Sequence, residues 1–159
     1  KMKIKLFKIT ILMLFFVFLG NCGYQPLLTE KYQKFTINNF EISGDRKLGQ
    51  KLSNKFIKSE GAPNLLVFKI QMVKNRTQSN KTQSGKVLEY TLNINLNFEA
   101  ISKSDSQTVL KKIYTEKVSY KASALYSGTL SREKKIVDDL IKSIANQIIK
   151  DLNLVFRSQ

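Results

Sequence analysis

Residues 88–99 read Leu88-Glu89-Tyr90-Thr91-Leu92-Asn93-Ile94-Asn95-Leu96-Asn97-Phe98-Glu99, six apolar side chains alternating with six polar ones. A period of two puts the apolar set on one side of an extended chain, so Val87 to Ala100 predicts a long strand with one buried face and one wet face. The buried face needs a cover. The C-terminal segment supplies it: Ile136, Val137, Leu140, Ile141, Ile144, Ala145, Ile148, Ile149 and Leu152 recur at 3.6 residues per turn, with Ser131 as the expected N-cap. Lys134, Lys135, Asp138, Asp139, Lys142, Asn146, Gln147 and Lys150 are left for solvent. Because that polar face mixes both charge signs and lacks Trp, packing on a sheet is favoured over lying on a membrane. Leu92, Ile94 and Leu96 are expected to meet Ile141, Ile144 and Ile148.

Working outward, Phe35, Ile37 and Asn39 share one face of a short extended run ending near Ile42, and Ser43-Gly44-Asp45 supplies a turn and a helix cap. Leu48, Leu52 and Phe56, with Ile57 beside them, then predict a helix that stops near Gly61-Ala62-Pro63. Leu66, Phe68, Ile70 and Met72 mark a strand over Leu65 to Val73. From Asn75 to Lys86 no residue is aliphatic or aromatic, which reads as a long hairpin tip. A last strand over Val109 to Tyr120 has mixed faces and is expected at a sheet edge. The fold class that follows is α+β: a two-layer sandwich of a roughly four-stranded, mainly antiparallel sheet with two helices on one face.

The start of the chain has a different character. Lys1, Lys3, Lys5 and Lys8 precede an apolar run from Ile9 to Leu19 that is about 16 Å long as a helix, roughly half of what a membrane crossing requires. Residues 1–21 are therefore expected to be a signal peptide. The junction Leu19-Gly20-Asn21-Cys22 resembles the lipobox of bacterial lipoproteins, with Asn21 where Gly, Ala or Ser is usual. Cys22, the single cysteine, would then carry covalent lipid; the alternative is a secreted protein with a spare thiol. Gly23 rather than Asp follows it, which in enteric lipoproteins permits sorting to the outer membrane. Residues 22–34 read as a lipidated N-terminus and tether around Pro26, and 35–156 as one domain.

The formal charge is +15, and 23 of the 27 basic residues are Lys. Such a chain suits an anionic partner. The shortage of Arg and the export signal argue against nucleic acid. With no His and its one Cys assigned to an anchor, the chain lacks the usual bases, nucleophile pairs and metal ligands, so no enzymatic activity, metal or cofactor beyond the lipid on Cys22 is expected.

Cys22-Gly23-Tyr24-Gln25-Pro26-Leu27-Leu28 resembles the Cys-Gly-Phe/Tyr-x-Pro-Leu-Tyr start of mature LptE from alphaproteobacteria, the lipopolysaccharide-assembly lipoprotein family of the outer membrane. In the same order, Leu48-Gly49-Gln50-Lys51-Leu52-Ser53-Asn54 is similar to the family's first helix and Leu88-Glu89-Tyr90-Thr91-Leu92 to the entry of its central strand. Ile136-Val137-Asp138-Asp139-Leu140 through Ile148-Ile149-Lys150-Asp151-Leu152 is similar to its final helix. The resemblance implies a lipid-anchored protein on the periplasmic side of the outer membrane, partnered by the LptD β-barrel, which it plugs and helps to assemble, and by lipopolysaccharide. It places the 75–86 connection inside the barrel. There Arg76, Lys81 and Lys86 are, by their own charge, the candidate lipopolysaccharide-binding residues through charge-assisted hydrogen bonds to phosphate, the alternative being that they are solvated hairpin residues. A generic envelope lipoprotein acting as a scaffold or adaptor fits the same fold.

Overall fold

The computed structural model describes residues 34–57 and 64–157. Six elements follow one another: β1 (Phe35–Gly44), α1 (Arg46–Ser53), β2 (Asn64–Lys81), β3 (Val87–Ser102), β4 (Thr108–Lys121) and α2 (Tyr126–Val155). The strands lie in sequence order, β1-β2-β3-β4. β1 pairs parallel with β2 because α1 carries the chain back between them, whereas the β2–β3 and β3–β4 pairs are antiparallel hairpins. The fold is the expected α+β sandwich, with a mixed sheet and both helices on one face.

Alternation sets the core. Leu66, Phe68, Ile70 and Met72 of β2 and Leu92, Ile94, Leu96 and Phe98 of β3 are buried together with Ile141, Ile144 and Ile148 of α2. Phe68 is the centre of an aromatic chain, with ring centroids 5.4 Å from Phe56 and 5.0 Å from Phe98, both edge-on. Asp45 caps α1 by accepting the Leu48 amide at Oδ1 over 3.2 Å. Gly44, at φ +72°, permits the tight turn before it, and a Cβ there would collide with the Met72 carbonyl.

Four expectations need correction. A bulge between Ile37 and Asn39 shifts the phase of β1, so Phe40 and Ile42 turn inward and Asn39 is exposed. α1 ends at Ser53 rather than near Gly61, although Phe56 still packs in the core. α2 begins at Tyr126, five residues before Ser131, with Leu125 at the N-cap and no side-chain cap. The polar stretch from Asn75 is strand as far as Lys81, paired with β3 through the Lys81↔Val87 register, so the hairpin tip is only residues 82–86. Backbone pairing to β3 holds this stretch extended while both its faces stay polar, which removes the alternation that would have marked it. The expected signal peptide and the tether up to residue 33, with Cys22, lie outside the described residues.

Candidate functional site

Where the sheet runs past the core toward the start of α2, β2 places Lys74 and Arg76 two residues apart and therefore on one face, the face that meets the helix. Both reach the same carboxylate. Lys74 Nζ donates to Glu133 Oε1 at 3.1 Å, and Arg76 Nη1 donates to Oε2 at 2.8 Å. Tyr120 Oη of β4 donates to the same Oε2 at 2.9 Å. Arg76 lies 4.7 Å over the Tyr90 ring, which stacks on Tyr120 at 5.7 Å. Three strands and the helix thus converge on Glu133, which is 8 % exposed. Burial pushes its carboxyl up, but the hydrogen bonds from Arg76, Lys74 and Tyr120 outweigh this and hold it below the usual carboxylate range. Burial, reinforced by the bond to Glu133, pushes the Tyr120 phenol up to about 12.

A polar seam continues along β4. Glu116 Oε1 accepts Ser143 Oγ at 2.9 Å and Gln147 Nε2 at 2.7 Å. Asp151 Oδ2 accepts Lys112 Nζ and Tyr114 Oη, each at 2.8 Å. Burial raises the Asp151 carboxyl, and the bonds from Lys112 and Tyr114 bring it below its ordinary value. Lys51 of α1 reaches Asp138 of α2 at 2.6 Å. These contacts fasten α2 to β4 and to α1; among the described residues no group of three metal-ligating side chains is assembled.

Of the four residues singled out in the sequence, Cys22 is outside the described residues. Lys81 and Lys86 are brought together at the β2–β3 turn, where the Thr82 amide donates to the Lys86 carbonyl at 2.9 Å, and both are exposed. Arg76 is set apart, about 16 Å back along the strand, and is engaged by Glu133. Glu133 itself was missed, with Lys74, Tyr90 and Tyr120. A signal was present: Glu133 precedes Val137 and Ile141 at intervals of four, so it is a carboxylate in phase with the apolar stripe.

The fold and its polar contacts define a compact α+β scaffold in which one sheet face is sealed by two helices and the ionised groups around α2 are used for packing. The chain belongs to the LptE family, described as lipopolysaccharide-assembly, which matches residues 32–152. This is a non-enzymatic lipoprotein family associated with the outer membrane. Among solved structures, the chain is similar to a minor lipoprotein from Acinetobacter baumannii at 18% identity and a TM-score of 0.55, covering 77% of this chain and 92% of that one. A lipoprotein from Caulobacter crescentus CB15 aligns at 14% identity and a TM-score of 0.54, covering 81% and 95%. Lipoprotein B from Nitrosomonas europaea gives 14% and 0.50, covering 79% and 88%. At these identities the likeness is one of fold. A comparison with curated proteins finds no match.

Proposed function

We propose that this protein is anchored by lipid on Cys22 to the periplasmic side of the outer membrane, where it plugs the LptD β-barrel, helps that barrel assemble, and so serves lipopolysaccharide transport to the outer leaflet. The observation that carries this reading is the family match over residues 32–152, which takes in the whole sheet and nearly all of α2. The geometry is compatible with it. The chain enters the fold at Phe35, whose ring stacks on Phe156 at 5.9 Å, and so at the C-terminal end of α2. The turn bearing Lys81 and Lys86 lies toward the opposite end, with the 30-residue α2, about 45 Å long, between them. Basic groups are thereby presented far from the point where the chain enters the fold.

Purification from detergent-solubilised membranes tests the reading. A plug comes out in stoichiometric complex with a barrel of much larger mass, whereas a generic envelope adaptor comes out without one. Cys22→Ser is expected to release the protein from membranes lacking the barrel, because buried lipid methylenes contribute about 0.8 kcal/mol each to anchoring. An unmodified Cys22 in the mass of the native N-terminal peptide would remove the anchor from the proposal.

A further inference from the structure

The face of the sheet away from the helices is uncovered among the described residues. Over β2, β3 and β4, from the Gln71–Asn97–Ile113 register to Thr77–Thr91–Ser119, it presents twelve side chains, of which Lys117 alone is charged. A quarter of the whole chain is charged. The charges are displaced to the two ends of this face, into the Lys69–Glu99–Lys111 row on one side and the Glu89–Lys121 pair on the other. A charge-depleted centre inside a charged rim is the pattern of a surface that is buried against another protein. The centre is also pre-ordered: Asn97 Nδ2 donates to Gln71 Oε1 at 3.1 Å, Thr115 Oγ1 to Asn95 Oδ1 at 2.9 Å, and Thr91 and Ser119 hydroxyls meet at 2.8 Å. Cross-strand bonds of this kind reduce the side-chain entropy lost on docking.

Two further features show that the surface is unfinished as it stands. Val73 and Ile113 project from the same face at 46 % and 68 % exposure. Beside Ile113, where the centre meets the charged row, the face hollows into a groove of about 650 Å³ between Ser43, Lys69, Gln71, Glu99, Lys111 and Lys112. With β4 14 residues long and four strands side by side, the face measures on the order of 800 Å², the size of one side of a standard interface.

We infer that this open face is the surface that lies against the partner, and that the partner surface is polar, as the inner wall of a β-barrel is. The inference rests on the barrel reading above and adds which side of the sheet meets the wall. The helix layer, with Lys135 and Lys142 exposed on α2, is then turned away from that contact.

The full chain, co-expressed with the LptD barrel, is given a photoreactive residue at Val73, Asn95 or Thr115, and separately at Lys135 or Lys142. The expected result is a crosslink at the combined mass at least five-fold stronger from the open face than from α2. Equal or stronger crosslinking from α2 overturns the inference, as does a product joining two copies of this chain or one formed within a single chain. In addition, Val73→Glu with Ile113→Glu, which removes no hydrogen bond, is expected to lower the copurified barrel at least ten-fold with an unchanged melting temperature. Unchanged copurification overturns the inference. If wild-type protein copurifies with the barrel and the face fails these tests, the barrel reading stands and the inference falls. If no barrel copurifies, both fall.

Discussion

Glu133 is the residue on which the upper end of the molecule turns. Its carboxylate is satisfied by Lys74, Arg76 and Tyr120, and no other described charged residue is as buried. Glu133→Gln keeps the shape but removes the countercharge from two cations that are each about one-third exposed. Because those cations can turn to water, the expected cost is about 1–3 kcal/mol at pH 7, below that of stranding a fully buried ion. The folded carboxyl lies below its ordinary value, so its contribution is complete above the unfolded value near ~4.3 and is lost as pH falls through the folded one. Urea unfolding of wild type and variant should therefore differ by a constant amount well above the unfolded value and converge as acid protonates the folded carboxyl. A difference that does not shrink at all with falling pH would mean that the effect is steric. This site was only half legible in the sequence. Arg76 stood out by charge, but its partner lies 57 residues away, and nothing local distinguishes a lysine that pairs, such as Lys74, from one that does not.

At the scale of elements, close approach between α1 and β1 depends on Gly49. A Cβ at this position would collide with Ile42 Cγ2. Ala is preferred to Gly in a helix by about 1 kcal/mol, yet the β-branched Ile42 has little rotameric freedom to yield, and overpacking costs about 1–3 kcal/mol. Gly49→Ala is expected to lower stability, and the same change with Ile42→Ala is expected to recover the helix gain, which a double-mutant cycle by thermal unfolding would measure. In the opposite sense, Leu96→Ala opens a cavity beneath α2, since Leu96 is fully buried, and should cost about 2–5 kcal/mol; an unchanged melting temperature would reverse the assigned phase of β3. The elements that could be read from sequence, β3 and the apolar stripe of α2, are those with one dry and one wet side. The end of β2 and the first turn of α2 could not, because Asn75 to Lys81 is polar on both faces and Tyr126 and Leu130 are exposed. The β1 bulge was invisible for a related reason: inserting one residue changes phase without changing composition.

For the whole molecule, the separation of Arg76 from Lys81 and Lys86 divides what the sequence offered as one basic site into a structural cation and an exposed pair. Arg76→Gln deprives Glu133 of one partner and Tyr90 of its cation, and is expected to lower stability by about 1–2 kcal/mol, so lost ligand binding in that variant would be ambiguous. Lys81→Gln with Lys86→Gln touches no side-chain contact of the core, and the turn is held by the Thr82–Lys86 backbone bond and by Gly85 at φ +83°. This double variant of the full chain should unfold at the wild-type temperature and assemble with the barrel normally. Two exposed lysines on phosphate contribute about 0.5 kcal/mol each or somewhat more, so its affinity for lipopolysaccharide in detergent is expected to fall roughly 3- to 10-fold, and the loss should shrink as salt is raised. Unchanged affinity at low salt would remove the turn from the ligand contact and leave the protein acting on the barrel alone, whereas failed assembly with unchanged affinity would make the turn a contact with the barrel.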